Sequence, residues 1–140
     1  MKKLLLLISI APSILFSQTF YTKALTYQND VRLYYDLNPL EYDSDLSLKA
    51  QEWADYMAST DDFNVSNDNL GENIFYAEKD YIIKNNKNSF LEATLNWILE
   101  RDDYSTFNQI TYKNAKRVGF GVAENHEYIY VVAKYDKLYK

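Results

Sequence analysis

Whatever chemistry this chain performs must be done without sulfur and almost without imidazole, since it holds no cysteine and a single histidine, His126. Ser-His-Asp and Cys-His nucleophile systems need a base or a thiol that is missing here. A tetrahedral zinc site of the ordinary kind needs imidazole or thiolate donors, which one histidine cannot supply within one chain. His126 itself lies in Glu124-Asn125-His126-Glu127, which reads as a solvent-facing turn. Carboxylates remain: Glu72 within Gly71-Glu72-Asn73, Glu100 within Trp97-x-x-Glu100, and the doublets Asp61-Asp62 and Asp102-Asp103. Hard cations favour such oxygens, but the Asp-x-Asp-x-Asp-Gly spacing of a calcium loop is missing, and the doublets read as solvated helix ends. No metal and no cofactor is expected.

The chain opens with Met1-Lys2-Lys3, an apolar run over 4–16 and the small residue Ser17, the layout of a secretory signal cleaved near Ser17. A membrane anchor needs about 20 apolar residues, more than this run provides. Signal 1–17 is then followed by a single domain over 18–140, secreted or periplasmic. Cleavage would remove two lysines and shift the formal charge from −5 to −7. A chain so acidic is a poor partner for nucleic acid and for anionic lipid, so neither nucleic-acid binding nor stable membrane insertion is expected. Without disulfides, a domain of this size rests on packing alone. Its 14 Tyr, 7 Phe and 2 Trp are the material for it.

Periodicity predicts the elements that must hold the carboxylates in place. Ala24, Tyr27, Val31 and Tyr34 recur at helical spacing up to Asn38-Pro39, where proline disfavours helix in the preceding residue. Asp43 or Ser44 can cap a second helix whose apolar face is Leu46, Ala50, Trp53, Ala54 and Met57, stopping near Ser59-Thr60. A polar loop over 61–70 leads to a short strand at 72–76. Ser89-Phe90-Leu91-Glu92 matches a capping box and opens a third helix that buries Phe90, Ala93 and Trp97 and runs to about Asp102. Strands over 118–123 and 128–135 make a hairpin, apolar on successive residues as in a sheet covered on both faces. The pattern argues for an α+β domain. Trp53 and Trp97 are expected in the core. Core packing is also expected for Tyr34, Tyr35, Tyr42 and Tyr56, with a surface platform for a peptide or glycan as the alternative.

Taken in order, Gln28-Asn29-x-x-Arg32, Pro39-Leu40-x-Tyr42-Asp43, Ala50-Gln51-x-Trp53-Ala54, Gly71-Glu72-Asn73, Trp97-x-x-Glu100, Gln109, Val118-Gly119-Phe120-Gly121 and Val131-Val132-Ala133-Lys134-Tyr135 resemble the CAP superfamily. This is the SCP domain of cysteine-rich secretory proteins, venom allergens and plant pathogenesis-related proteins. The resemblance runs over 28–135 and implies a three-layer α/β/α sandwich with a short antiparallel sheet, in proteins that are mostly secreted. It also implies a cavity that typical members build from two histidines and two glutamates. Glu72 and Glu100 stand at the glutamate positions, while Val65, before Ser66, and Thr106, opening Thr106-Phe107-Asn108-Gln109, fill the histidine positions. The implied metal site is therefore degenerate. The family's closing Pro-Gly-Asn is absent after Tyr135. Two ionised carboxylates about 4 Å apart would repel by about 4 kcal/mol at an effective dielectric near 20, so one must gain a proton, donors or a cation. Asn73, Thr106 and Gln109 are the donors at hand.

Three functional readings stay open. In the first, the domain is a non-catalytic module that binds an extracellular peptide, glycan or lipid. It would bind through a cavity of Val65, Glu72, Asn73, Glu100, Thr106 and Gln109, or through its tyrosine-rich surface. In the second it is a carboxylate-dependent extracellular hydrolase of cell-wall glycan or peptide, with Glu72 and Glu100 as the reacting pair; carboxyl separations of about 5 Å or about 6.5–9.5 Å distinguish the two mechanisms for sugar linkages. In the third the two glutamates only tie the fold together.

Overall fold

A four-stranded sheet in the order β1-β3-β4-β2 carries the fold, in a computed structural model that describes residues 12–100 and 106–140. β3 (Arg117–Glu124) and β4 (Tyr128–Tyr135) form the expected hairpin with His126 exposed in its turn, and β2 (Gly71–Glu78) pairs antiparallel with β4 along its whole length. The departure from an antiparallel sheet is β1 (Glu41–Tyr42), two residues that add a parallel edge to β3. α2 (Ser44–Thr60) covers one face; α1 (Pro12–Tyr34) and α4 (Ser89–Leu99) cover the other, giving the α/β/α sandwich. Short helices α3 (Lys79–Lys84) and α5 (Thr106–Ile110), which periodicity does not reveal, fill the connections. Residues 1–11, most of the expected signal, and the Asp102-Asp103 pair lie outside the described residues.

α2 starts and stops where expected: the Asp43 Oδ1 accepts from the Leu46 amide at 2.9 Å, and Asp61 ends the helix in the left-handed region at φ 54°. It sits unusually close to β3, because a Cβ on Gly119 would overlap the Ser47 backbone and one on Gly121 would overlap the backbone of Ala50 and Gln51. Beyond the two residues of β1, β3 would be a bare edge. Instead the Phe120 amide donates to the Ser47 hydroxyl at 3.0 Å. Gln51 brackets Val122, donating to its carbonyl at 2.7 Å and accepting from its amide at 3.1 Å. The close approach also corrects the expectation for Trp53. The buried positions of α2 are Leu46, Ala50, Ala54 and Met57, and the Trp53 indole lies at the margin, half-buried, stacked on Tyr56 and donating to the Asn64 carbonyl at 2.8 Å. Trp97 is fully buried, as expected.

Three further expectations are corrected. The cap of α4 is Asn88, whose Oδ1 accepts from the Leu91 amide at 3.2 Å; the Ser-x-x-Glu pattern is one residue out of register, and Glu92 pairs with Lys87 at 2.9 Å instead. On α1 the fully buried stripe is Ala24, Gln28 and Arg32, while Tyr27 and Tyr34 face solvent. Tyr34, Tyr35, Tyr42 and Tyr56 are all exposed rather than in the core, Tyr34 at 81%. They form no single platform: Tyr34 and Tyr35 meet edge to face, Tyr42 stacks on Tyr21, and Tyr56 stacks on Trp53.

Polar residues can occupy the buried stripe because their groups are matched. Gln28 Oε1 accepts from the Tyr135 hydroxyl at 2.8 Å, and burial pushes that hydroxyl's pKa well up. Among the described residues Arg32 forms no ion pair; its guanidinium donates to the carbonyls of Asn38 (2.7 Å), Ile110 (2.8 Å), Tyr112 (2.9 Å) and Ala115 (3.0 Å). Desolvation lowers its pKa, and the four dipoles take the place of a counter-ion. A point-charge ammonium cannot span this fork. Arg32→Lys should therefore leave several buried carbonyls unmatched and lower the unfolding free energy in denaturant titration by about 3 kcal/mol.

Candidate functional site

The site grows from one lysine. β4 runs Val131-Val132-Ala133-Lys134-Tyr135 through the middle of the sheet, buried on both faces, so the side chain of Lys134 is only 1% exposed. An ammonium there is stable only if paired and hydrogen-bonded. Register supplies the first partner: Glu72 of β2 lies directly opposite Lys134, and partners across a ladder share a face. The Lys134 Nζ contacts Glu72 Oε2 and the Ser66 Oγ, and reaches Asp68 Oδ2 at 2.7 Å. Glu72, its side chain 5% exposed, is held further by the Ser66 amide on Oε1 at 2.7 Å and the Ser66 hydroxyl on Oε2 at 2.8 Å. Asp68 also accepts from the Leu70 amide at 3.3 Å. Partial desolvation raises its pKa, but the bonds and charge of Lys134, with Leu70 and Ser66, outweigh this and hold its carboxyl below the ordinary range.

The other residues singled out from sequence have different surroundings. Val65 is 62% exposed, and its neighbour Ser66, not Val65 itself, reaches Glu72. Asn73 follows Glu72 on the strand and therefore points to the opposite face, where its Nδ2 donates to the Thr106 carbonyl at 2.9 Å. The Thr106 Oγ1 lies 3.1 Å from the Trp97 carbonyl and 3.3 Å from Glu100 Oε2, so Asn73, Thr106 and Glu100 form one chain of contacts. Glu100 is exposed at the end of α4. Buried Gln109 grips the C-terminal segment instead, donating to the Lys137 carbonyl at 2.8 Å and accepting from the Tyr139 amide at 2.9 Å. Among the described residues, Glu72 and Glu100 share no hydrogen-bond partner.

Lys134 is the residue that sequence reasoning missed. Its signal was available: a lysine inside an otherwise continuous apolar run of a sheet covered on both faces has to find a carboxylate. Beside it opens a cleft of about 390 Å³ where Trp53 and Tyr56 face Lys134, Ser66 and Asp68, with Lys49 and Glu52 at the rim. The donors present do not suit a transition metal. Val65 offers no lone pair, Thr106 offers a hydroxyl, both oxygens of Glu72 already accept from a cation or amide, and no group of three or more His, Cys, Asp or Glu among the described residues could hold an ion.

The chain belongs to the cysteine-rich secretory protein (CAP) family, whose model matches residues 25–135. It is similar to pathogenesis-related leaf protein 4 of Solanum lycopersicum, with 25% identity over 126 residues, 80% of this chain and 74% of that protein. Among solved structures it is similar to MpPR-1i, with a TM-score of 0.66, 25% identity, and 88% of this chain and 90% of that one covered. BmVAL-1 shares the fold at a TM-score of 0.69 and 16% identity, over 85% of this chain and 77% of that one. Members of this family are typically secreted.

Because removing one partner of a buried pair strands the other charge, Lys134→Met should cost about 3 kcal/mol or more in denaturant unfolding, and adding Glu72→Gln should restore most of it. The acid limb gives an independent reading. A carboxyl with a depressed folded-state pKa contributes stability that is present above its unfolded pKa, about 3.9, and is lost as pH falls through the lower folded value. Unfolding free energy should therefore fall with pH below about 4, and more shallowly in Asp68→Asn.

Proposed function

We propose that this CAP domain is exported and works as a non-catalytic binding module. The observation that supports it best is the commitment of Glu72 to Lys134 and Ser66: a carboxylate already bonded on both oxygens holds the 61–70 loop to the sheet rather than waiting for a substrate proton. The family's metal position is then degenerate in a defined sense, with a lysine ammonium serving Glu72. Of the two binding regions read from the sequence, the six residues Val65, Glu72, Asn73, Glu100, Thr106 and Gln109 are divided between the two faces of β2, and Glu72, Thr106 and Gln109 make internal bonds, whereas exposed aromatic rings remain for a ligand.

Export agrees with the family's habit and with the basic, apolar start of the chain. Among the described residues no helix is long and apolar enough to cross a membrane. α1 runs through Ser17, so cleavage there would shorten it while keeping Gln28, Asn29 and Arg32. Intact mass of the exported protein should show the loss of residues 1–17.

Incubating the purified chain with cell-wall glycan and with peptide substrates should give no turnover, and Glu100→Gln and Glu72→Gln should alter stability alone. Hydrolysis that disappears in Glu100→Gln while the fold persists would establish the hydrolase reading in its place.

A further inference from the structure

Where the C-terminal segment crosses the approach to β3, a hollow of about 600 Å³ is lined by Lys113, Lys116, Lys137 and Lys140. None of these four lysines makes an ion pair with a described residue. The carboxylate that lines it, Asp136, is engaged: it accepts from the amides of Lys116 (2.9 Å) and Arg117 (3.2 Å) and faces the Arg117 guanidinium at 3.6 Å. The hollow is thus a concentrated positive site on a chain whose formal charge is −5. Sharing Tyr112 and Lys113 with it is a second hollow of about 500 Å³, walled by Tyr35, Phe107, Tyr112 and Tyr139. The rings there are set edge to face, Tyr35 with Phe107 at 5.8 Å and Tyr112 with Tyr139 at 5.5 Å between centroids. The seam is also held in shape before any ligand arrives. The Gln109 amide fixes the backbone at Lys137 and Tyr139, and pre-fixed groups lose less freedom on binding.

We propose that this joined surface binds an anionic oligosaccharide, with sugar rings lying on the tyrosine faces and carboxylate, sulfate or phosphate groups reaching the lysines. The proposal rests on the binding-module reading and names the ligand class for it. Tyrosine suits sugars because it presents an apolar face and a hydroxyl together. Charge selects the anionic ones. An extended anionic surface, whether a bilayer or a duplex, would also confront the acidic remainder of the molecule. A short oligomer can engage the lysine hollow without lying against the acidic remainder, whose more distant charges are screened over about 10 Å at moderate salt.

The test is calorimetric titration of the full chain with a galacturonate hexamer, a sulfated hexasaccharide and neutral cellohexaose, at low and raised salt. Binding of at least one anionic oligomer, weakened by salt, with cellohexaose clearly weaker, is the expected result. Lys113→Glu with Lys137→Glu should reduce that affinity by about tenfold or more, the sum of two lost exposed attractions and two new repulsions. Tyr139→Ser should also weaken it, and these exposed substitutions should leave the melting transition in place. Equal binding of cellohexaose, indifference to the double reversal, or binding to phosphatidylserine vesicles without oligosaccharide binding would overturn the proposal and leave the binding-module reading standing. Cleavage of the oligomers would instead overturn the binding-module reading.

Discussion

A charge placed in the middle of a sheet decides how one whole flank of this molecule is arranged. β4 is flanked by β2 and β3 and covered by helices on both faces, and the side chain of Lys134 within it is only 1% exposed. Its ammonium must be met from the protein, and the costs are asymmetric: a satisfied buried pair is close to neutral, whereas a half-satisfied one is strongly destabilising. The 61–70 loop therefore cannot take an arbitrary path. It must bring Ser66 and Asp68 to Nζ, and in doing so it binds Glu72 through both its amide and hydroxyl. A carboxylate that composition alone would make a candidate base becomes a structural anchor because of the residue across the strand from it.

Elsewhere the chain uses side-chain amides where a cysteine-bearing domain can use covalent links. Asn29 brackets Leu40, accepting from its amide at 2.7 Å and donating to its carbonyl at 3.0 Å. Gln51 does the same to Val122 on β3, and Gln109 to the segment at Lys137 and Tyr139. Each amide imitates a strand neighbour for a piece of backbone that has none, which removes the penalty for burying unmatched peptide groups. Arg32 extends the principle to four carbonyls at once. Unlike a disulfide, such a clamp acts only on the folded state and leaves the unfolded chain unconstrained.

What was legible in the sequence follows from how local each signal is. The Asp43 cap, the α2 face apart from Trp53, the hairpin around His126 and the burial of Trp97 depend on near neighbours and periodicity, and the structure has them. On α1 hydrophobicity favours Tyr27 and Tyr34, while the buried positions go to Gln28 and Arg32, whose burial depends on Tyr135 and on carbonyls far along the chain. Trp53 departs from its periodicity for a similar reason: whether an indole fits beneath α2 depends on glycines at 119 and 121 on another element. Within the candidate site, the resemblance drew attention to Glu72 and Glu100, but the partner that fixes the chemistry of Glu72 came from strand register, which periodicity does not supply.

These choices also bear on where a ligand can be met. The tight glycine and alanine interface under α2 leaves Trp53 and Tyr56 stacked at its margin, and the polar stripe of α1 turns Tyr27 and Tyr34 outward. Core volume is filled instead by Trp97, Tyr135 and the branched residues of β3 and β4. The same economy separates the charges. Glu72, Asp68 and Asp136 are drawn into internal bonds with Lys134 and Arg117, while the lysines around the C-terminal segment form none with described residues. Aromatic rings and cations that the fold does not consume are what an external partner can use, so the bonds that take Glu72 out of play and the surfaces that stay open have a common origin in how this chain satisfies its interior.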